Sequence, residues 1–310
     1  MSAPITWPDG KRFAFTIFDD PDAQTLEEGR EVYAMLRDLG FRTTKGTWPV
    51  RGPREPSDKG GTCDEPGYRD WCLALQRDGF EMGWHNATLH TSTREETAAA
   101  LERFRDLFGA YPASMANHYY CDEAIYWDEH RTSGWRRQLY ELLTRYRYRG
   151  RSQGHVRDSP LFWGDLCRER IRYVRNFTFP TIDTLAACPI MPYHDPARPY
   201  VQAWYASSDG NRASRFIELL DEANQDALAA SGGCSIVYTH FGHGFVENGR
   251  VLPRVVQLLE RLAGLGGWYA PVTTVLDHLR AARGVTTLDD ASRARLERRW
   301  LMGKVLHGAS

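Results

Sequence analysis

The side chains with the widest chemical range in this chain are acids and histidines that recur just after strand-like stretches. Asp19 and Asp20 follow the run Phe13–Phe18, His85 and His90 follow Phe80–Trp84, and His240 and His243 follow Ser235–Thr239. In parallel α/β folds the loops leaving the carboxyl ends of the strands converge, so these residues are expected on one face. Adjacent acids in extended backbone point to opposite sides and can take separate tasks, one toward a cation and one toward water. One carboxylate with two imidazoles is a donor set that Zn²⁺, Fe²⁺, Co²⁺ or Mn²⁺ accepts while leaving positions open. The same residues have plainer readings, since Asp-Asp-Pro-Asp also makes a cap and turn, and a single histidine is more often a core or loop residue than a ligand.

Positioning these groups requires a repeating scaffold. Short β-rich runs alternate about seven times with amphipathic helical stretches, the pattern of βα units around a parallel sheet. Phe13–Phe18, Phe80–Trp84, Ile171–Phe177 and Ser235–Thr239 read as strands. The apolar spacing of Leu26, Val32, Met35, Leu36 and Leu39 predicts a helix stopped by Gly40. Ser92 and Thr93, each three residues before a Glu, offer overlapping capping boxes for another helix. Further helices are predicted over residues 214–230, 251–265 and 273–282. Residues 180–212, rich in proline and aromatics, read as a long ordered lid. Residues 1–285 are expected to form one barrel domain, with residues 286–310 a helical extension packed outside the repeats.

Composition narrows the classes. The 310 residues carry 39 Lys plus Arg against 40 Asp plus Glu, a net charge of −1, without the basic excess that gripping nucleic acid requires. No apolar run approaches the ~20 residues that span a bilayer, so membrane insertion is not expected. The six cysteines form no C-x-x-C pair, which fits a reducing, cytoplasmic setting better than a disulfide framework. Phosphate-cradling glycine motifs and the G-x-S-x-G elbow are absent.

Phe15-Thr16-Ile17-Phe18-Asp19-Asp20 resembles the T-F-D-D motif of the polysaccharide deacetylases, the carbohydrate esterase family 4 or NodB-homology group. Leu39–Thr44, Gly79–His85 and Ile236–His240 resemble three further motifs in order, and the similarity spans roughly residues 10–282. The resemblance implies a deformed (β/α)7 barrel of the NodB type with a C-terminal helical tail. It makes Asp19 the general base, His240 the general acid, and Asp20, His85 and His90 the ligands of a divalent ion. Zn²⁺ is the first choice, with Co²⁺, Mn²⁺, Fe²⁺ or Ni²⁺ as alternatives. The implied reaction removes an acetyl group from an N-acetylated sugar or glycan precursor.

The sequence departs from that pattern in three places. His85 and His90 are five apart where the family spaces its histidines by four. The third motif, which supplies an Arg that orients the base, reads Ala116-Asn117-His118-Tyr119-Tyr120. Asn117 or His118 can stand in for it, or His118 can be structural. Asp22 can compete for either carboxylate role.

Among substrate contacts, Trp163, Tyr193, Tyr200, Trp204 and Tyr205 offer aromatic faces for a sugar, and Asn117, His118, His194, Asp195 and His243 offer polar ones. Arg175 and Arg198 can meet a phosphate or carboxylate. A small-molecule or glycan substrate is expected, with homo-oligomerisation left open. Two other readings use the same features: a hydrolase of a cyclic imide or ureide, and a glycan-binding pseudoenzyme.

Overall fold

The computed structural model describes residues 5–308. Seven strands, β1 (Ala14–Asp19), β2 (Thr44–Thr47), β3 (Glu81–Trp84), β4 (Ser114–Met115), β5 (Tyr173–Phe179), β6 (Ala203–Asp209) and β7 (Cys234–Thr239), pair in parallel in that order. Strand β7 returns to β1 from Ala14↔Cys234 to Asp19↔Thr239, closing a (β/α)7 barrel. Every residue of β1, β5 and β6 is buried, as expected for strands covered on both faces. Phe15, Ile17, Ile236 and Val237 are fully buried in the core beneath the surrounding helices.

Helix α1 (Leu26–Asp38) opens with a capping box between Thr25 and Glu28 and buries Val32, Tyr33 and Leu36. Helix α2 (Pro66–Arg77) places Pro in its first turn, where a missing N–H costs nothing. Helix α3 (Arg94–Phe108) uses only one of the two predicted boxes, Thr93 with Glu96, and ends at Gly109 in the left-handed region. The helix expected over residues 214–230 is two, Ala213–Leu219 and Glu222–Ser231, because the Asp221 side chain accepts from Asn224 N and starts a new cap.

Residues 180–212 do not form a lid. Residues 203–209 of this stretch are barrel strand β6, and the residues before them hold a short helix, Thr184–Ala187, and a two-residue strand antiparallel to β6. The longer excursion lies between β4 and β5 and carries helix α4 (Trp135–Leu143). Against it packs the C-terminal helix, Asp290–His307, capped by Asp289. Trp300 of that helix stacks on Tyr140 at 5.5 Å and meets Phe177 at 5.4 Å. Its Glu297, fully buried, accepts from Ser133 N at 3.1 Å, Arg136 Nε at 2.6 Å and Arg198 Nη2 at 3.2 Å. Among the described residues no helix is long and apolar enough to cross a membrane.

Glu297→Ala removes the acceptor shared by the buried Arg198 guanidinium and the half-buried Arg136 guanidinium, and such losses typically cost ~3 kcal/mol or more. Urea unfolding should show that loss; a change under about 0.5 kcal/mol, the size usual for a surface site, would mean the helix is held by apolar packing alone.

Candidate metal centre and catalytic cavity

Asp19, the last residue of β1, points into the protein rather than into the loops above it. Its Oδ2 receives Lys45 Nζ and Tyr33 OH at 3.1 Å and Gln24 Nε2 at 3.2 Å, while Oδ1 accepts from Phe241 N at 2.9 Å. Burial pushes its carboxyl above the ordinary range, against the pull of Lys45. Asp20, one residue on, faces the other way, as alternation requires. Its two oxygens accept from Arg175 Nη1 at 3.0 Å and Nη2 at 2.5 Å, a buried bidentate pair that forms part of the cavity lining. Burial alone would lower the guanidinium, but the Asp20 charge outweighs it and raises it. Arg175 stacks over Tyr238, 4.2 Å from the ring centre, which fixes its plane.

Asp22 carries the cluster that matters most. Its Oδ1 lies 2.7 Å from His118 Nδ1 and its Oδ2 lies 3.2 Å from His85 Nε2, and those two ring nitrogens are 3.2 Å apart. The Asp22 backbone is pressed against the loop after β7: a Cβ on Gly242 would come within 2.6 Å of Asp22 O, so only glycine permits the approach. His85 immediately follows β3, and His118 follows β4. Asn86, in the left-handed region, accepts from His118 N at 2.9 Å and donates to Glu123 Oε1 at 2.8 Å, which ties the two histidine loops together. The Trp48 indole packs against both imidazoles, its centre 5.7 Å from that of His85 and 5.2 Å from that of His118.

The donor chemistry of this trio fits a divalent cation. Two imidazole nitrogens aimed at one another and at one carboxylate cannot all be satisfied by hydrogen bonds, since neutral imidazole has a single N–H. Donors around a tetrahedral ion at ~2.1 Å stand roughly 3.4 Å apart, close to the three separations seen here. All three residues are buried, and Asp22, His85 and His118 together can hold one ion. Asp20, Asp22 and His240 form a second, overlapping group.

His240 Nδ1 lies 2.7 Å from Asn211 O, so Nδ1 carries the proton and Nε2 is turned to the acids, 3.4 Å from Asp22 Oδ2 and 3.9 Å from Asp20 Oδ2. His243 stacks beside it at 4.5 Å. Asp20, Asp22, His85, His240 and His243 line a single cavity of about 480 Å³. Its aromatic walls, Tyr119, Tyr120, Trp127, Tyr140 and Tyr148, come from the β4–β5 excursion.

Several predicted residues lie elsewhere. His90 is not brought to His85: its Nδ1 donates to Thr91 O at 2.9 Å, its Nε2 accepts from Arg54 N at 3.3 Å, and it lines a separate cavity. Trp163 is fully buried and donates to Glu123 O at 2.6 Å, and Tyr193, Trp204 and Tyr205 are core. His194 holds the carbonyls of Val201 and Gln202, and Asp195 anchors Arg198 and Arg293. Arg198 is spent on Asp195 and Glu297. Asn117 lines the cavity but spends its amide on Ile125 backbone. Two residues acquire unexpected places: His118 joins the donor trio, and Arg175 supplies the guanidinium missing from the third motif.

No family model and no curated protein matches this sequence. Solved structures do match its fold. A polysaccharide-deacetylase-type protein of Mycobacterium smegmatis superposes with a TM-score of 0.54 at 14% identity, over 93% of this chain and 96% of that one. The allantoinase Puue gives 0.53 at 14% identity, over 90% and 94%. A polysaccharide-deacetylase-type protein of Pseudomonas aeruginosa PAO1 gives 0.51 at 14% identity, over 90% and 95%. The chain therefore has the barrel fold of the NodB-type polysaccharide deacetylases, the fold that its motifs resemble.

His118→Ala should lower the affinity for Zn²⁺ or Co²⁺ by more than tenfold, whereas His90→Ala should leave it unchanged, both read by calorimetric titration; the opposite ranking would restore His90 as ligand. Glu123 gives a stability test. Burial pushes its carboxyl up to about 7 from an ordinary 4.5, although Asn86 and Ser92 N oppose the shift. The folded state then binds more protons between those values, so stability falls as pH rises through that window, by on the order of 3 kcal/mol. Urea unfolding at pH 5 and pH 8 should show this fall in the parent protein and its absence in Glu123→Gln.

Proposed function

We propose that this protein is a metal-dependent hydrolase that removes the acetyl group from an N-acetylated sugar or glycan precursor. The observation that carries the reading is the meeting, around one cavity, of Asp22 and His85 on its lining with His118 buried behind them, the Arg175-held carboxylate of Asp20, and the oriented imidazole of His240. In this reading Asp22, His85 and His118 hold the ion, with Zn²⁺ the first choice for two nitrogens and one oxygen. A cation there supplies Lewis-acid polarisation of the scissile carbonyl and of a water molecule.

The chain's own groups do the rest. Asp20 accepts the proton of the attacking water, and Arg175 keeps both its position and its charge. His240 delivers a proton from Nε2 to the departing nitrogen as the C–N bond breaks, leaving acetate and a free amine; the Asn211 carbonyl on Nδ1 holds the ring in line. Asp19 is not the base here, because all its acceptor capacity is turned inward to Lys45, Tyr33, Gln24 and Phe241. The roles implied by the sequence motif thus move one step along the loop, base from Asp19 to Asp20 and ligand from Asp20 to Asp22. His118 takes the ligand place of His90. A cavity of about 480 Å³ with aromatic walls suits a sugar ring better than a small cyclic ureide.

Acetate release from acetylated amino sugars, measured beside ring opening of cyclic imides and ureides, tests the reaction. Asp20→Asn should lower kcat by 10²-fold or more with metal content intact, and His240→Ala, at a half-buried position, should lower it by a similar factor. Full activity in Asp20→Asn would refute the assignment of the base, and turnover of ureides alone would refute the sugar.

A further inference from the structure

Eight of the ten exposed large apolar side chains among the described residues lie on two adjoining elements, α4 with the turn after it and the C-terminal helix. On α4, Trp135, Leu139, Leu142 and Leu143 recur at helical steps and form one exposed stripe, while Tyr140 is turned inward and buried. Tyr146, in the turn that closes the helix, adds a half-exposed ring. Met302, Val305 and Leu306 make a matching stripe on the C-terminal helix, 59–68% exposed. Trp135 and Leu139 line a shared groove of about 370 Å³ with these three residues. Scattered apolar residues need no explanation, but a contiguous patch drawn from two helices marks an interaction surface.

The charge on this face departs from that of the chain as a whole. Residues 135–151 hold six arginines against one glutamate, and residues 290–307 hold five Lys and Arg against two acids, in a chain of net charge −1. Those acids are already engaged: Glu141 meets Arg137, Glu297 meets Arg136 and Arg198, and Asp290 meets Arg293. Exposed Arg145, Arg147 and Arg149 have no carboxylate partner among the described residues. Arg147 and Arg149 instead lie over the rings of Tyr148 and Tyr146, at 5.8 and 5.9 Å.

A second copy seated here across a two-fold axis would bring this basic patch against itself, with no free acid to receive the arginines. A bilayer with anionic headgroups accommodates every feature together. Leucine, valine and methionine enter the acyl boundary, Trp135 and Tyr146 suit the headgroup level, and the guanidinium groups beside them pair with lipid phosphates.

We propose that the face made by α4, its closing turn and the C-terminal helix docks the protein on an anionic lipid surface, lying in the interface rather than crossing it. The same two elements wall the catalytic cavity through Tyr140 and Lys304, so docking holds that cavity beside the lipid. The docking goes beyond the hydrolase reading and does not depend on which bond the cavity cuts.

The full chain is floated with vesicles of phosphatidylcholine alone and with vesicles of equal parts phosphatidylcholine and phosphatidylglycerol. Two variants run beside it, Leu142→Asp with Val305→Asp, and Arg145→Glu with Arg147→Glu and Arg149→Glu. All five positions are exposed, and unchanged urea midpoints check that both variants fold. The parent should bind the phosphatidylglycerol vesicles at least tenfold more tightly than the neutral ones, and each variant should lose tenfold or more of that binding. Absence of binding at about 1 mM lipid would overturn the proposal. So would parent-like binding by the Leu142→Asp, Val305→Asp protein, since diffuse charge attraction would then suffice. A dimer in sedimentation that this variant dissolves, with vesicles left unbound, would make the face a contact between copies instead. Should one variant not fold, the other decides.

Discussion

The geometry above the barrel hangs on one buried carboxylate. Asp19 gathers Lys45 from β2, Tyr33 from α1, Gln24 from the first loop and the Phe241 amide from the loop after β7. A buried Lys–Asp pair offsets its own desolvation only with further hydrogen bonds, and Tyr33, Gln24 and the Phe241 amide supply them to the carboxylate. Removing either charge would strand the other in a site with no water, so the four segments are bound as one unit. Because Asp19 faces inward, Asp20 must face out, and two residues on Asp22 comes against the loop that carries Gly242 and ends near His240. One side-chain direction thus sets the positions of the acid pair and the imidazole across from it.

The second half of the site depends on a different knot. Asn86 in the left-handed region bridges the His118 amide and the Glu123 carboxyl, which also accepts from Ser92 N. The β3 and β4 loops therefore move together, and His85 and His118 meet despite lying far apart in the chain. Trp48 caps both rings and excludes water from the side where the donors converge. The first knot joins β1 to β2 and to the loop after β7, and the second joins the loops after β3 and β4.

These knots explain what the amino-acid sequence discloses and what it does not. The β1, β3 and β7 runs announce themselves by buried apolar residues ending in Asp or His, so the barrel and three of its reactive loops were legible. Strand β6 was not, because Ala-Trp-Tyr-Ala-Ser-Ser-Asp sits in a proline-rich neighbourhood and its serines are buried polar groups that pattern reading assigns to loops. The roles of Asp19, Asp20 and Asp22 could not be separated by spacing, since the distinction lies in which way β1 presents its last side chain. His118 was weighed as a stand-in for the orienting Arg, a substrate contact or a structural strand-end residue, and Arg175 as an anion contact; what sets them against Asp22 and Asp20 is proximity to the first loop, a tertiary fact. The extra residue between His85 and His90 marked the loop as irregular, and the irregularity resolves once His118 occupies the place that His90 leaves.

The remaining division is between reactivity and selection. Arg175 of β5, residues just after β1, β3 and β7, and the short β4 loop bring together Asp20, Asp22, His85, His118 and His240. The wall opposite that chemistry in origin comes from the β4–β5 excursion and the C-terminal helix, which Glu297, Asp195 and Trp300 fasten to each other. That helix is not an appendage: without it Arg131 would lose one of its two indole faces, and Lys304 would be absent from the cavity. Of the excursion only its first residues, His118 and Glu123, take part in the second knot, while the remainder and the C-terminal helix build the opposite wall of the cavity.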